Sequence, residues 1–352
     1  MRQPAHGGNL AWAAALAGCP PDAILDFSAS ISPLGPPNSA IAAIKSQIGN
    51  LKHYPDPNYS ELRLALSHFH QLPPEWILPG NGSAELLTLI GRELAQLAAT
   101  ILITPAFGDY YRTLAAYNAN VLECPLSLVT GHWSLFLDKG QKTKDKGLLL
   151  NNPHNPTGKL FTRESILPYL EQFALVVVDE AFMDFVLPNE EQSLIPVVQE
   201  YPNLVVLRSL TKFYSLPGLR LGYAIAHPDC LAKWQLWRDP WPVNTLAAAA
   251  AIAALQDTEF QQQTWAWLPP ARNQLFQGLT EIPGLQPQAS AANFLLVESQ
   301  ESTSQLQQQL LKYHQILIRD CLSFKELGDR FFRVAVREEC DNQRLLTALK
   351  ES

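Results

Sequence analysis

The stretch Ser209-Leu210-Thr211-Lys212-Phe213-Tyr214-Ser215-Leu216-Pro217-Gly218-Leu219-Arg220 decides how this chain is read. It follows Asn203-Leu204-Val205-Val206-Leu207, an apolar, β-branched run with the pattern of a buried strand, so the polar cluster stands at a strand's exit. Open α/β sheets bind ligands at such exits. A lysine there is able to form a Schiff base with an aldehyde cofactor, while Ser209, Thr211 and Arg220 offer hydroxyls and a planar guanidinium to that cofactor's phosphate. Alone, a lysine and an arginine fit a solvated loop better. The rest of the chain reverses that balance.

Working back toward the N-terminus, each apolar run ends in groups with chemistry. Residues 174–178 form an apolar strand closing on Asp179-Glu180-Ala181-Phe182, where a carboxylate implies either a cationic partner or a surface position. Leu148-Leu149-Leu150 leads into Asn151-Asn152-Pro153-His154-Asn155-Pro156-Thr157-Gly158, whose prolines and glycine pin a turn that aims the Asn155 amide. Ile101-Leu102-Ile103 is followed by Thr104-Pro105-Ala106-Phe107, an aromatic suited either to a cofactor ring or to the core. Leu78-Pro79-Gly80-Asn81-Gly82-Ser83-Ala84-Glu85 opens a helix predicted over 84–97, where glycines and free helix-terminal amides make an anion cradle or a plain helix start. In a parallel sheet these exits share one edge.

Strand and helix alternate over about 75–226, which predicts a mostly parallel, doubly wound α/β sheet with Leu221-Gly222-Tyr223-Ala224-Ile225-Ala226 as an antiparallel return. Residues 130–146 are polar and read as a surface excursion. Beyond 235 the pattern becomes α+β, with helices near 244–256 and 258–279 and strands carrying Arg319 and Arg333, which need an anion to sit there cheaply. The expected organisation is an N-terminal arm of 1–40 joining the small domain, a large domain of 41–235 and a small C-terminal domain of 236–352. Near the arm's end Asn38 is expected to cap a helix through 48, and Asn58 or Ser60 one running to 70.

A net charge of −7 without a lysine or arginine run argues against nucleic acid. Cys19, Cys124, Cys230, Cys321 and Cys340 are widely spaced and odd in number, so they read as reduced, buried thiols of a cytoplasmic protein. His68 and His70 are the closest histidine pair and lack further ligands nearby, so no metal is expected. Leu16-Ala17-Gly18-Cys19 imitates a lipoprotein cleavage box, but its apolar run is short and is read as an N-terminal amphipathic helix. The alanine-rich run 246–255 is too short for a membrane and reads as a buried helix.

The order Asn-Pro-x-Asn-Pro-Thr-Gly, Asp-Glu-Ala-Phe and Ser-x-Thr-Lys-x-x-x-x-Pro-Gly-x-Arg-x-Gly resembles the fold-type I pyridoxal-phosphate enzymes, especially histidinol-phosphate aminotransferases. Closer still is the threonine-phosphate decarboxylase family of cobalamin biosynthesis. The shared pieces include His6-Gly7-Gly8-Asn9, Leu25-Asp26-Phe27-Ser28-Ala29, Tyr54-Pro55-Asp56, Arg208-Ser209-Leu210-Thr211-Lys212-Phe213-Tyr214, Trp241-Pro242-Val243-Asn244, Ile316-Leu317-Ile318-Arg319 and Phe332-Arg333-Val334-Ala335. The resemblance implies the fold-type I transferase fold and pyridoxal 5'-phosphate held covalently by Lys212. It assigns Asp179 to the ring nitrogen, Asn155 to the ring phenolate and Phe107 and Ala181 to the ring faces. Gly82, Ser83, Ala84, Ser209, Thr211 and Arg220 fall to the phosphate. Tyr54 would reach that phosphate from a neighbouring subunit, implying a homodimer. Arg333 would take the substrate carboxylate, with Arg319, His6, Asn155 and the arm around Ser32 as further substrate contacts.

Two departures from the family pattern bear on activity. Ser30-Ile31-Ser32-Pro33 replaces the frequent Asn-x-Asn-Pro, and Phe182 stands where the aminotransferases carry a tyrosine and the decarboxylases a phenylalanine. The implied activity is decarboxylation of L-threonine O-3-phosphate to aminopropanol phosphate, with histidinol-phosphate transamination as the alternative and a ligand-sensing module without catalysis as a third.

Overall fold

The computed structural model describes residues 6–127 and 143–352. Thirteen strands occur among them: β1 Leu25–Asp26, β2 Ile77–Asn81, β3 Ala99–Thr104, β4 Val121–Pro125, β5 Lys146–Asn151, β6 Leu175–Asp179, β7 Leu204–Ser209, β8 Leu221–Ala226, β9 Leu285–Pro287, β10 Phe294–Ser299, β11 Ile316–Leu317, β12 Arg319–Asp320 and β13 Phe331–Ala335. The large sheet has the order β2-β8-β7-β6-β5-β3-β4. Strands β3 to β7 run parallel, and β8 is antiparallel to both β7 and β2, as the sequence predicts for its return.

The valine and leucine runs are continuous because helices cover both faces of a parallel sheet. Successive side chains therefore enter different cores. Val176 and Val178 pack with Leu204 and Val206 on one face, whereas Leu175 and Val177 pack with Val205 and Leu207 on the other. The first of these cores is shared with a four-stranded antiparallel sheet of order β12-β13-β10-β9. Phe182, just past β6, meets Phe294 of β10 edge to face at 5.0 Å, which joins the two sheets directly.

The N-terminal segment is tied to the C-terminal region. β1 pairs in parallel with β11, Leu25 opposite Ile316, and Phe27 bridges outward: its N–H donates to the Leu317 carbonyl and its carbonyl accepts from Ala335, both at 2.8 Å. The helix Leu10–Ala17 packs Ala13 and Ala14 against Ile24, Leu311 and Leu317.

Several boundaries differ from expectation, for identifiable reasons. Asn38 is the first residue of the helix Asn38–Gln47 and makes no cap; Pro37 precedes it with its ring preset for a helix start. The helix Ser60–His70 is capped by neither Asn58 nor Ser60, since the Asp56 carboxylate accepts from both their amides, at 2.9 and 2.8 Å. The helix after the glycine turn is Gly82–Leu94, two residues earlier than predicted, because Gly82 accommodates a φ of +73° at the turn. Residues 128–142 of the predicted surface excursion lie outside the described residues, and Lys146 already belongs to β5. None of the five cysteines is in a disulfide, but only Cys321 is buried and Cys340 is exposed. The alanine-rich helix Thr245–Gln256 buries Ala247, Ala250, Ala251 and Ala254. No helix of the described residues is long and apolar enough to cross a membrane.

Candidate active site

The carboxyl ends of β5, β6 and β7 open into a cavity of about 360 Å³. Its wall includes His6, Ser83, Ala84, Phe107, Asn155, Asp179, Ala181, Ser209, Thr211, Lys212, Arg220, Arg319 and Arg333, so motifs far apart in sequence do converge. Register explains much of this. Asn151 pairs with Asp179, and Asp179 with Leu207, so the three strands end level and their loops face one space.

An anion cradle lies at one end. The first amides of the helix Gly82–Leu94 receive no side-chain cap from Asn81, leaving donors directed beyond the helix end. The Arg220 guanidinium lies against this turn so closely that a Cβ on Gly82 would stand 2.5 Å from Nη2. Gly222 meets the same constraint from below, where a Cβ would come within 2.8 Å of the Ser83 nitrogen. Arg220 itself adopts a left-handed φ of 57°, a conformation costly for an arginine and common where a ligand site dictates the backbone. The hydroxyls of Ser209 and Thr211 bond one another at 2.8 Å on the adjoining wall. Amides, two hydroxyls and a guanidinium around a glycine-sized gap form a donor set fitted to a phosphate.

Lys212 lines the cavity with its amine 4.9 Å from the centre of the Phe182 ring. Burial holds this amine below the usual lysine range; the Asp179 charge opposes the shift, and Arg333 and Arg220 add to it. A larger neutral fraction makes it a better nucleophile toward an aldehyde. Asp179 is buried, which pushes its carboxyl upward, while the Lys212 charge and hydrogen bonds from Tyr110 and the Ala181 amide draw it back toward the ionised form. Those two donors lie 2.8 Å from Oδ2 and 3.0 Å from Oδ1. Phe107 lies on the cavity wall with its ring 5.5 Å from that of His6.

At the other end, two arginines stand side by side. Arg319 and Arg333 are register partners on β12 and β13 and both are buried. Arg333 donates to Asn155 Oδ1 and to the Ser28 carbonyl, but its Nε is buried without a partner. Burial, then the neighbouring Arg319 charge, pull its guanidinium down to about 10. Arg319 donates to Ser323 at 2.6 Å and meets Asp320 at 3.4 Å. An anion entering here would gain two desolvated cations and a free donor.

Three predicted residues lie elsewhere. Gly82 sits behind the wall, beneath Arg220. Ser32 is not on the wall: its amide donates to the Lys212 carbonyl at 3.0 Å and its carbonyl accepts from Ser215 Oγ, so its backbone braces the lysine loop. Tyr54 is 79% exposed and stacks on Trp241 at 4.5 Å, on the outer surface of this chain.

Two features escaped the sequence reading. Tyr110, the hydroxyl donor to Asp179, follows Phe107 by one helical turn, and its three-residue spacing looked like ordinary core packing. Arg208 is buried among Glu180, Asp184, Glu191 and Ser193; the carboxylate after β6 foretold a cation, but nothing local named its position.

The description "Aminotransferase class I and II" belongs to a family model that matches residues 22–349. A threonine-phosphate decarboxylase of Salmonella typhimurium is 40% identical, the match covering 98% of this chain and 96% of that protein. The crystal structure of the histidinol-phosphate aminotransferase from Clostridium acetobutylicum superimposes with a TM-score of 0.86 at 29% identity, covering 93% of this chain and 98% of that one. The histidinol-phosphate aminotransferase from Sinorhizobium meliloti, solved in complex with pyridoxal-5'-phosphate, shares the fold with a TM-score of 0.87 at 23% identity over 98% of this chain and 94% of that one. With its sheet order, its strand-exit motifs and this near full-length match in agreement, the chain belongs to the aminotransferase class I and II family.

Proposed function

We propose that this chain is a pyridoxal-5'-phosphate-dependent carboxy-lyase that converts L-threonine O-3-phosphate to (R)-1-amino-2-propanol phosphate in cobalamin biosynthesis, acting as a cytoplasmic homodimer. The observation that carries the reading is the 40% identity, over 98% of the chain, to a protein of that activity. Phe182 supports it from within the site: the ring beneath the Lys212 amine has no hydroxyl to offer a cofactor phenolate.

The residues fit the cofactor. Ser83 and Ala84 amides with Ser209, Thr211 and Arg220 would hold its phosphate, Gly82 leaving room for Arg220 behind them, Phe107 and Ala181 its ring faces, Asn155 its phenolate, Asp179 its ring nitrogen and Lys212 its aldehyde carbon. When bound, pyridoxal phosphate supplies an electron sink for the bond being broken. Asp179, whose ionised form two donors favour against its burial, would retain a proton on the ring nitrogen. Arg333 would grip the substrate carboxylate through its free Nε, while Arg319 and His6 would hold the substrate's phosphate. Gripping both ends of a short substrate would fix which Cα bond the cofactor's electron sink can act on, and presenting the Cα–carboxylate bond would select loss of CO₂. Lys212, on the cavity wall, would return a proton to Cα. Tyr54, exposed and stacked on Trp241, would reach the cofactor phosphate of a neighbouring subunit.

Purified protein loaded with pyridoxal phosphate should release CO₂ from O-phospho-L-threonine without any keto acid. Turnover that depends on a keto acid and releases no CO₂ would overturn this in favour of transamination, the alternative that the C. acetobutylicum likeness represents.

A further inference from the structure

We propose that Tyr110 is a positioning residue that sets Asp179 and Phe107 in one fixed arrangement around the cofactor's ring. This rests on the reading of the cavity as a pyridoxal-phosphate site. Tyr110 belongs to the helix Gly108–Ala116, directly after Phe107, and is 1% exposed. Its hydroxyl donates to Asp179 Oδ2 at 2.8 Å, while the Ala181 amide donates to Oδ1 at 3.0 Å. The carboxylate is thus held both from that helix and from the chain just past β6. Each oxygen keeps acceptor capacity on its cavity side. The Tyr110 ring meets Phe107 edge to face, with centroids 5.6 Å apart and planes at 87°. One side chain therefore braces both the aromatic wall and the acid, groups that separate chain segments bring to the cavity.

A phenylalanine at position 110 would fill the same volume and keep the edge-to-face contact. The hydroxyl is what it would lack. A buried hydroxyl is costly unless bonded, and here its partner is the carboxylate itself. The hydroxyl's function is therefore directed at Asp179 and, through it, at whatever Asp179 meets in the cavity. It acts on the ring nitrogen only indirectly.

The test compares binding of pyridoxal phosphate with binding of its 1-deaza analogue, in which a CH group replaces the ring nitrogen. Apparent Kd values for both are measured by equilibrium dialysis on cofactor-stripped wild-type protein, Y110F and Y110L. Wild type should prefer pyridoxal phosphate, and Y110F should lose about tenfold of that preference while its affinity for the deaza analogue stays unchanged. Y110L should lose affinity for both, because the brace on Phe107 goes as well. If wild type discriminates and Y110F discriminates equally, the inference is overturned while the reading of the site stands. If wild type binds neither ligand, the reading of the site fails and this inference with it. A thermal melt of Y110F separates a purely structural role, which would lower Tm and leave the preference intact.

Discussion

Two buried arginines on strands of this protein are provisioned in opposite ways. Arg208, at the end of β7, spends its guanidinium on Glu180 at 3.0 Å, Asp184, Glu191 at 2.7 Å and Ser193 at 3.0 Å. Burial alone would lower its pKa, but Glu180 and Asp184 outweigh that and hold it well above the ordinary arginine value. Arg333, on β13, has an amide oxygen, a carbonyl and an unpartnered Nε, with a second arginine as its neighbour and its pKa drawn down to about 10. The same residue type is saturated in one place and starved in the other. A buried cation with its full set of acceptors belongs to the scaffold; one left short of them marks where an anionic ligand completes the structure.

The scaffold side of this comparison carries the largest expected effect. Arg208→Met should lower stability by about 3–5 kcal/mol in urea denaturation, because Glu180 and Asp184 would stay buried without their cation. A variant as stable as wild type would break the distinction. Arg333→Met should do the reverse. Its melting temperature should hold or rise, whereas kcat/KM for O-phospho-L-threonine should fall by about 100-fold or more. Arg319→Met should cost less, about 30-fold, and chiefly for ligands bearing a phosphate, so comparing L-threonine with its phosphate ester as inhibitors isolates its share.

How much of this could be seen beforehand varies with where the information lies. The lysine, aspartate, asparagine and Arg220 announced themselves because each follows an apolar strand, and a parallel sheet leaves such residues level along one edge. Arg319 and Arg333 were visible as charges inside strand patterns, although their side-by-side register needed the ladder between β12 and β13. Tyr110 was hidden because an aromatic one turn into a helix has the same spacing whether it packs or positions. The acceptors of Arg208 were hidden for another reason: Asp184 sits in a single 3-10 turn, Met183–Phe185, and Glu191 and Ser193 in irregular chain, where no periodicity says which side chain turns inward. The caps of the helices starting at Asn38 and Ser60 were misjudged because several cap-forming residues crowd together there and only the backbone chooses among them.

A smaller effect sharpens the rule about unfinished hydrogen bonding. His154 is buried beside the Asn155 turn with Nδ1 on Thr157 at 2.8 Å and Nε2 without a partner. Unlike arginine, it escapes the penalty by staying neutral: burial, then the charge of Lys159, pull its pKa down to about 3. The unfolded chain binds a proton on this ring near its ordinary value while the folded chain does not. Stability is therefore complete above that ordinary value and falls as pH drops toward about 3. Between roughly pH 7 and pH 5 this group should account for about 1–2 kcal/mol, and H154Q should flatten the pH dependence of the urea midpoint by that amount. An unchanged slope would show that the ring takes up its proton alike in the folded and the unfolded chain.

The backbone ladder linking Leu25 to Ile316, with Phe27 wedged between Leu317 and Ala335, has a consequence for the order of assembly. A ribosome releases residues 25–28 long before their partners exist, so the lysine loop and its glycine cradle are complete while the opposite wall is still being made. A nascent chain stopped short of Arg319 would present the floor of the cavity open to solvent. The strand carrying Leu25 must then wait, unpaired, for the strands that finish the enclosure.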